Sequence, residues 1–169
     1  MKMKVLAAAL VAVLLPSAAA AQSSGDFGIG LIVAEPTGLS AKLWLDDSTA
    51  IDAAAAWSFS GHNSFQVHAD WLMHRFDLFP RVDPQYGRLP LYFGLGGRLK
   101  LGDDDRGRNE DDLVGIRVPV GVSYLFAQAP FDVFAEVVPV LDLAPDTELD
   151  LNAAVGGRFY FGRRDQLRR

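Results

Sequence analysis

The sequence has no cysteine among its 169 residues. Disulfide bonds, thiolate catalysis, Cys-ligated metals and a lipoprotein anchor are therefore excluded. No stretch approaches the run of about 18 apolar residues that a transmembrane helix needs, and no helical apolar stripe follows residue 26. Acidic residues outnumber basic ones, and the net charge of −5 argues against nucleic-acid binding, which requires a basic face.

The first 21 residues have the composition of a secretory signal peptide. Two lysines precede an apolar run over residues 5–15 that is too short to cross a bilayer, and small residues follow it. We expect cleavage after Ala21 and export of the chain. The mature protein would then consist of one domain, residues 22–162, and a basic tail, residues 163–169.

The mature chain divides into eight segments in which large apolar residues alternate with small or polar ones. Joints rich in Gly, Pro, Asp and Asn separate them, as in hairpins. This pattern predicts an all-β protein, an eight-stranded antiparallel up-and-down barrel. Several segments reach the length of about nine to eleven residues that a tilted strand needs to cross a bilayer. The segments are Phe27–Ala34, Leu39–Leu45, Ala50–Phe59, Phe65–Phe76, Leu91–Leu101, Leu113–Phe126, Phe131–Leu143 and Leu149–Phe161.

The direction of the apolar faces decides between a membrane protein and a soluble one. From Val114 to Phe126 every second residue is large and apolar, and Arg117 is the one charge among the residues between. The residues between the apolar ones are mostly small and rarely charged. Such residues suit the inside of a narrow barrel better than the surface of a soluble protein. We therefore expect the apolar faces to point outward into lipid. The alternative is a periplasmic lipocalin-like barrel with these faces turned inward around a ligand.

Aromatic residues at the strand ends form two groups, as in the girdles of membrane barrels. With the N-terminus in the periplasm, one group lies near the periplasmic rim and the other near the outer rim. The first comprises Phe27, Phe76, Tyr124, Phe126, Phe131, Phe159 and Phe161, and the second Trp57, Phe59 and Phe65.

Charged residues in the polar phases predict an ionic cluster inside the barrel. Because buried charges must be paired, we expect an Arg117–Glu136 ion pair, with Arg98 sharing the carboxylate. This cluster would act as a structural plug; the alternative is a narrow or gated pore. Its predicted members are Lys42, His68, Asp70, Arg98, Arg117, Glu136 and Arg158, with Asp52, His74, Lys100, Asp132 and Asp150 as further candidates in the lumen.

An enzymatic role is the next alternative. His68, Asp70 and His74 share one phase, and a lipid A-modifying barrel would need a serine nucleophile beside such a group. Ser58 and Ser123 show no recognisable relation to it. We therefore expect no enzymatic activity, no cofactor and no metal site. The acidic loop 103–112 is expected to be solvated, with divalent-ion bridging to lipopolysaccharide as its alternative.

Six phrases of the sequence resemble the small bacterial outer-membrane β-barrel proteins of uncharacterised function, which are similar in architecture to OmpA- and OmpX-type eight-stranded barrels. The resemblance runs over nearly all of the mature chain. It implies that the protein is located in the outer membrane of a Gram-negative cell and has a structural or interaction role in the envelope. It does not imply a biochemical activity. The phrases are EPTGLSAKLWL (35–45), AIDAAAAWSF (50–59), LPLYFGLGGRLK (89–100), RVPVGVSYLF (117–126), VFAEVVPVLDLAP (133–145) and LNAAVGGRFYF (151–161).

The last segment also resembles the assembly signal that the outer-membrane insertion machinery reads, with Gly156, Phe159 and Phe161 at matching spacing. It departs from that signal at Ala154, where a polar residue is usual, and in the basic tail that follows. The resemblance implies contact with this machinery and with periplasmic chaperones during biogenesis. In the membrane, we expect a monomer whose partners are outer-membrane lipid and lipopolysaccharide.

Overall fold

The computed structural model describes residues 24–34, 37–58, 64–79, 82–102, 112–145 and 147–161. The predicted signal peptide, the basic tail, Phe59 and nearly all of the acidic loop lie outside the described residues. Among the described residues, no helix is long and apolar enough to span a membrane.

The described chain is built from β-strands joined by turns. The two-residue periodicity of the sequence accounts for them, because each strand places apolar and small or polar side chains on opposite faces. The strands are β1 (Phe27–Ala34), β2 (Thr37–Trp44), β3 (Thr49–Ser58), β4 (Ser64–Arg75), β5 (Gly87–Arg88), β6 (Leu91–Gly102), β7 (Leu113–Arg117), β8 (Val120–Phe126), β9 (Phe131–Ala144) and β10 (Glu148–Phe161).

The strands close into a ring. Each long strand pairs antiparallel with its neighbours in the chain, and β10 pairs with both β9 and β1. β7 and β8 lie end to end between β6 and β9, and the short β5 extends the line of β6 by pairing with β8. The eight positions of this ring confirm the predicted eight-stranded antiparallel up-and-down barrel.

Two prolines lie within this wall, Pro119 between β7 and β8 and Pro139 in β9. A proline removes a ladder donor but keeps its carbonyl acceptor, and the amide of Val118 donates to the carbonyl oxygen of Pro139 at 3.0 Å. The pairing with β9 is irregular elsewhere, between Val114 and Gly115.

The apolar phase faces outward along the whole wall. Along β7, β8 and the two residues between them, Val114, Ile116, Val118 and Val120 are exposed, whereas Arg117 is buried. Among the described outward-facing residues of the strands, Arg75 at the end of β4 is the one charged side chain. This arrangement confirms the predicted direction of the apolar faces. The lipocalin-like alternative is wrong, because it requires these faces to line the interior.

Aromatic residues gather at both ends of the barrel. We call the end at which β1 begins and β10 ends the terminal end, and the other the opposite end. The described members of the predicted groups fall on these two ends, although Phe76 packs against a buried interior cluster that contains Trp44 and Tyr160. Ring contacts join Tyr124 to Phe126, Phe126 to Phe131 and Phe159 to Phe161 at the terminal end, and Trp57 to Phe65 at the opposite end.

The turn between β2 and β3 is closed by one carboxylate. The side chain of Asp46 accepts hydrogen bonds from the backbone amides of Ser48 and Thr49 at 2.7 and 2.8 Å. Hydrogen bonds from the hydroxyl of Thr49 and from Ser48 hold the pKa of Asp46 well below its usual value. Asp46 therefore keeps its charge in this turn at neutral pH.

Candidate functional site

The interior of the barrel contains charged side chains in place of a purely apolar core. Each belongs to the inward-facing phase of its strand, which is why a two-residue period places them together. Because every one of them is buried, their charges require partners within the barrel. Within the described strands they are Lys42, Asp52, Asp70, Arg98, Arg117, Asp132, Glu136, Asp142 and Arg158.

Arg158 is the centre of the first ionic group. Its side chain is 1% exposed and contacts the carboxylate of Asp52, while its Nε donates to Ser40 Oγ at 2.9 Å. A second carboxylate, that of Asp132, lies 3.6 Å from Nη1 and accepts a 2.7 Å hydrogen bond from Tyr160. This group joins β2, β3, β9 and β10, so it spans the seam at which the barrel closes.

Arg117 is the centre of the second group. Its Nε lies 3.1 Å from Asp70 Oδ1 and 3.2 Å from Oδ2, whereas its Nη2 lies 3.8 Å from Glu136 Oε1. The carboxylate of Glu136 also accepts a 2.8 Å hydrogen bond from the hydroxyl of Tyr92. The structure thus places Arg117 beside the expected Glu136, and it makes Asp70 the nearer partner.

Arg98 belongs to a third group, and here the expectation was wrong. Arg98 does not share Glu136; it binds Asp142 through Nε at 3.0 Å and through Nη2, and Asp150 through Nη1 at 3.2 Å. The reason is register. Arg98 lies opposite Gly115, which lies opposite Asp142, so these residues share one row across the wall.

Glycine residues make four of these contacts possible, because in each of the four the two partners belong to strands that flank a third strand. In the row that holds Asp70 and Arg117, the residue between them is Gly96. A Cβ atom at Gly96 would overlap the carboxylate of Asp70. The missing side chain leaves the space through which the partners reach each other.

The same arrangement recurs in three further rows. Gly115 separates Arg98 from Asp142, Gly121 separates Tyr92 from Glu136, and Gly30 separates Ser40 from Arg158. We call these the glycine-bridged pairs. In the sequence the inward glycines are recognisable only as small residues, so these pairs were not predicted. Asp142 was not predicted either, although the alternation of β9 places it on the same face as Glu136.

Lys42 differs from the arginines in having no carboxylate within salt-bridge distance among the described residues. Its Nζ lies 2.8 Å from His74 Nε2, and it faces the rings of Trp44 and Tyr92 at 4.8 and 5.3 Å from their centroids. His74 Nδ1 lies 3.1 Å from the carbonyl oxygen of Ser48. A neutral imidazole that accepts from Lys42 and donates to Ser48 satisfies both contacts.

His68 lines a small cavity in the interior. The cavity has a volume of about 30 Å³ and is bordered by polar groups of Gln66, Arg117, Glu136 and Asn152. His68 Nδ1 and Asn152 Nδ2 have no hydrogen-bond partner within the described part of the protein. A space of this size with polar walls suits a water molecule, not a solute.

The remaining predicted residues have simple positions. Lys100 is half-buried near the opposite end of the barrel. Ser123 is buried, and its hydroxyl has no hydrogen-bond partner among the described residues. Phe159 and Phe161 face outward with ring centroids 5.1 Å apart, while Gly156 lies beneath the ring of Phe134. Their role as an assembly signal stays a prediction. No group of three metal-ligating side chains occurs among the described residues.

A closed antiparallel ring of eight strands, apolar outside and ionic inside, has the architecture of the small OmpA/OmpX-like barrels. Comparison with solved structures agrees. The chain is similar to the N-terminal β-barrel domain of Pseudomonas aeruginosa OprF, with 16% identity and a TM-score of 0.62, over 83% of this chain and all of that one. It also matches Neisserial surface protein A, with 15% identity and a TM-score of 0.46, over 80% and 94% of the two chains.

The likeness to these structures is one of fold. No protein-family model matches the chain, and no curated protein matches it.

Proposed function

We propose that this chain is an outer-membrane β-barrel protein of a Gram-negative bacterium, with a structural or interaction role in the cell envelope. One observation carries the proposal. Among the described outward-facing residues of the strands, charge occurs only at Arg75, whereas the inward-facing residues include nine buried charged side chains. This distribution is the reverse of that in a soluble protein.

The outer surface supports a lipid environment. A row of exposed apolar residues such as Ile29, Leu31 and Val33 on β1 would face water in a soluble protein, and contiguous apolar surface of that kind promotes association. In lipid the same surface is stabilised, and the closed ring leaves no unpaired strand edge. Export by the predicted signal peptide agrees with this location.

The interior supports a plug without an open pore. The three ionic groups and the Lys42–His74 contact lie within the lumen, and the cavity beside His68 has room for water only. An eight-stranded barrel is just wide enough for its side chains to fill. We infer that the ion pairs stabilise the barrel wall and that the lumen does not conduct solutes.

The histidines support a role without catalysis. His74 is engaged by Lys42 and Ser48, and Ser123, a candidate nucleophile, makes no hydrogen bond to His68. A nucleophile needs a base within hydrogen-bond reach. We therefore propose that lipid, lipopolysaccharide and the assembly machinery are the partners of a monomeric, non-enzymatic barrel.

Membrane fractionation combined with gel electrophoresis of heated and unheated samples tests the proposal. We expect the protein in the outer-membrane fraction, with a shift in mobility on heating that reports a barrel stable in detergent. Planar-bilayer recordings of the purified protein should show no steady conductance, and lipid A from deletion and complemented strains should have the same mass. A mature chain that is monomeric in buffer without detergent would refute the membrane assignment.

A further inference from the structure

One connection at the terminal end is longer than its neighbours. Four residues join β2 to β3 and four join β8 to β9, whereas eleven residues, 76–86, separate β4 from β5. Membrane barrels keep the connections at their periplasmic end short. A long connection at this end therefore requires an explanation beyond chain reversal.

This connection exposes large apolar side chains. Leu78, Phe79 and Tyr86 are 48%, 41% and 60% exposed, in a segment that also contains the charged Asp77 and Asp83. Three such side chains on one loop are unfavourable to leave in water, because exposed apolar surface gains free energy when it is buried.

The described part of the connection is held in place by hydrogen bonds. Arg75 binds Asp77 through two contacts of 2.8 and 2.9 Å, which fixes the start of the segment against the end of β4. Near its other end, the amide of Ala127 donates to the carbonyl oxygen of Tyr86 at 3.1 Å. The amide of Tyr86 donates to the carbonyl oxygen of Asp83 at 3.0 Å. The exposed side chains thus lie on a segment whose two ends are hydrogen-bonded to the protein.

The connection continues the aromatic girdle of the terminal end. A Cβ atom at Gly87 would lie 2.6 Å from Cζ of Tyr124, so this glycine lets the Tyr124 ring pack directly over β5. Tyr124 contacts Phe126, and Phe126 contacts Phe131. The girdle on β8 and β9 therefore extends over β5, which directly follows the connection.

The strand ends beside the connection carry no aromatic side chain at their last outward-facing positions. At the terminal end, these positions of β2, β3, β4 and β6 hold Leu43, Thr49, Arg75 and Leu91, which leaves a gap at the rim. The outward-facing Phe93 and Trp71 lie further from this end. The connection leaves the wall at β4 and rejoins it at β6, inside this gap.

We propose that residues 76–79 and 82–88 form an interfacial anchor that places Leu78, Phe79 and Tyr86 among the headgroups of the adjoining lipid leaflet. The anchor completes the girdle on the side of the barrel where the strands do not supply it. Apolar and aromatic side chains with neighbouring charges are the combination that binds at this depth. This inference rests on the proposed membrane location and names the lipid contact that the location requires.

Site-specific fluorescence tests the anchor, and a chain without cysteine allows it directly. A cysteine replaces Phe79 (Phe79→Cys) and carries an environment-sensitive fluorophore, with the barrel folded in vesicles of phosphatidylethanolamine and phosphatidylglycerol. Matched labels at Asp47 and Leu31 report a turn at the same end and the centre of the lipid face. Iodide is present on both sides of the membrane. We expect a label at position 79 to emit at shorter wavelength than one at 47 and to be quenched several-fold less by iodide. Lipids brominated near the headgroup should quench it more than lipids brominated deep in the chain.

The controls separate the anchor from the membrane assignment. If iodide reaches position 79 as readily as position 47 while position 31 stays shielded, the anchor is refuted and the barrel stands. That outcome would make the connection a surface for a water-borne partner. If position 31 is also open to iodide, the proposed membrane location itself fails. The same labelling at Leu78 (Leu78→Cys) provides an independent second readout.

Discussion

Arg158 on β10 and Asp52 on β3 meet inside the barrel, although 106 residues separate them in the chain. Two strands, β1 and β2, lie between them in the wall. Ser40 on the second of these strands accepts from Arg158 and donates to Asp52, at 2.9 and 3.4 Å. The contact therefore ties the last strand to the third strand of the barrel across the lumen.

Replacing Arg158 by methionine (Arg158→Met) should reduce the free energy of unfolding by about 3–5 kcal/mol, because it leaves buried carboxylates without a cation. Urea unfolding of the barrel in lipid vesicles measures the change. Adding Asp52→Asn to this variant should recover part of the loss, since one of the unpaired charges is then removed. A double variant whose loss equals the sum of the two single losses would contradict the coupling.

The two carboxylates beside Arg117 should differ in importance. Asp70→Asn should lower the melting temperature more than Glu136→Gln, because Nε of Arg117 is 3.1 Å from Asp70 while Glu136 lies 3.8 Å from Nη2. A glutamine at position 136 can still accept from Tyr92. Thermal shifts in electrophoretic mobility give both values. An equal loss in the two variants would show that distance does not rank these partners.

The bridging role of glycine can be tested on two adjacent residues of β6. Gly96→Ala should destabilise the barrel strongly, because the new methyl group would overlap the carboxylate of Asp70. Gly97 faces outward, and a Cβ atom there would lie 3.7 Å from its nearest neighbour, the carbonyl oxygen of Gly115. Gly97→Ala should therefore have little effect on stability. Urea unfolding of both variants is the measurement. Similar stabilities would refute the bridging role.

If the outer face contacts lipid, the free-energy cost of placing an arginine on it should depend on depth in the bilayer. A surface that faces water would show no such dependence. Val137 and Leu143 both face outward on β9 and are 47% and 49% exposed, but Val137 lies near mid-strand and Leu143 near its end. Val137→Arg should cost about 2–4 kcal/mol in a bilayer and Leu143→Arg about 0–1 kcal/mol. Unfolding in vesicles provides both values. Equal, near-zero costs would indicate a surface that faces water.

The predicted assembly signal concerns the rate of insertion more than the stability of the product. Phe161→Ala should slow insertion by the outer-membrane machinery in reconstituted membranes, because the terminal aromatic of the signal is lost. Phe131→Ala removes another outward aromatic of the same girdle and should leave the rate unchanged. If both variants slow insertion to the same extent, the effect belongs to the girdle and not to a signal.

The alternation of side chains determined how much of the fold could be predicted. It assigns each residue to a face, so the eight strands, the outward direction of Val118 and the burial of Arg117 all followed from it. It carries no information on height along the barrel axis, which depends on how far each strand is shifted against the next. For this reason Arg98 was assigned to Glu136, when its row leads through Gly115 to Asp142.

The contact between the girdle and the segment that follows the long connection could not be predicted from the sequence. That contact depends on Gly87, whose missing side chain accommodates the Tyr124 ring. A glycine in a sequence signals a bend or a close approach without naming the group that approaches. The identity of that group emerges only when β5 is paired with β8.

The glycine-bridged pairs have a consequence for the order of events in folding. The two members of a pair never lie on adjacent strands, so an isolated hairpin gains nothing from these pairs. The stabilisation arises only when a third strand has docked, and for the Ser40–Arg158 pair only when the first and last strands have met. The ionic interior therefore stabilises the closed barrel more than it stabilises partly assembled sheets.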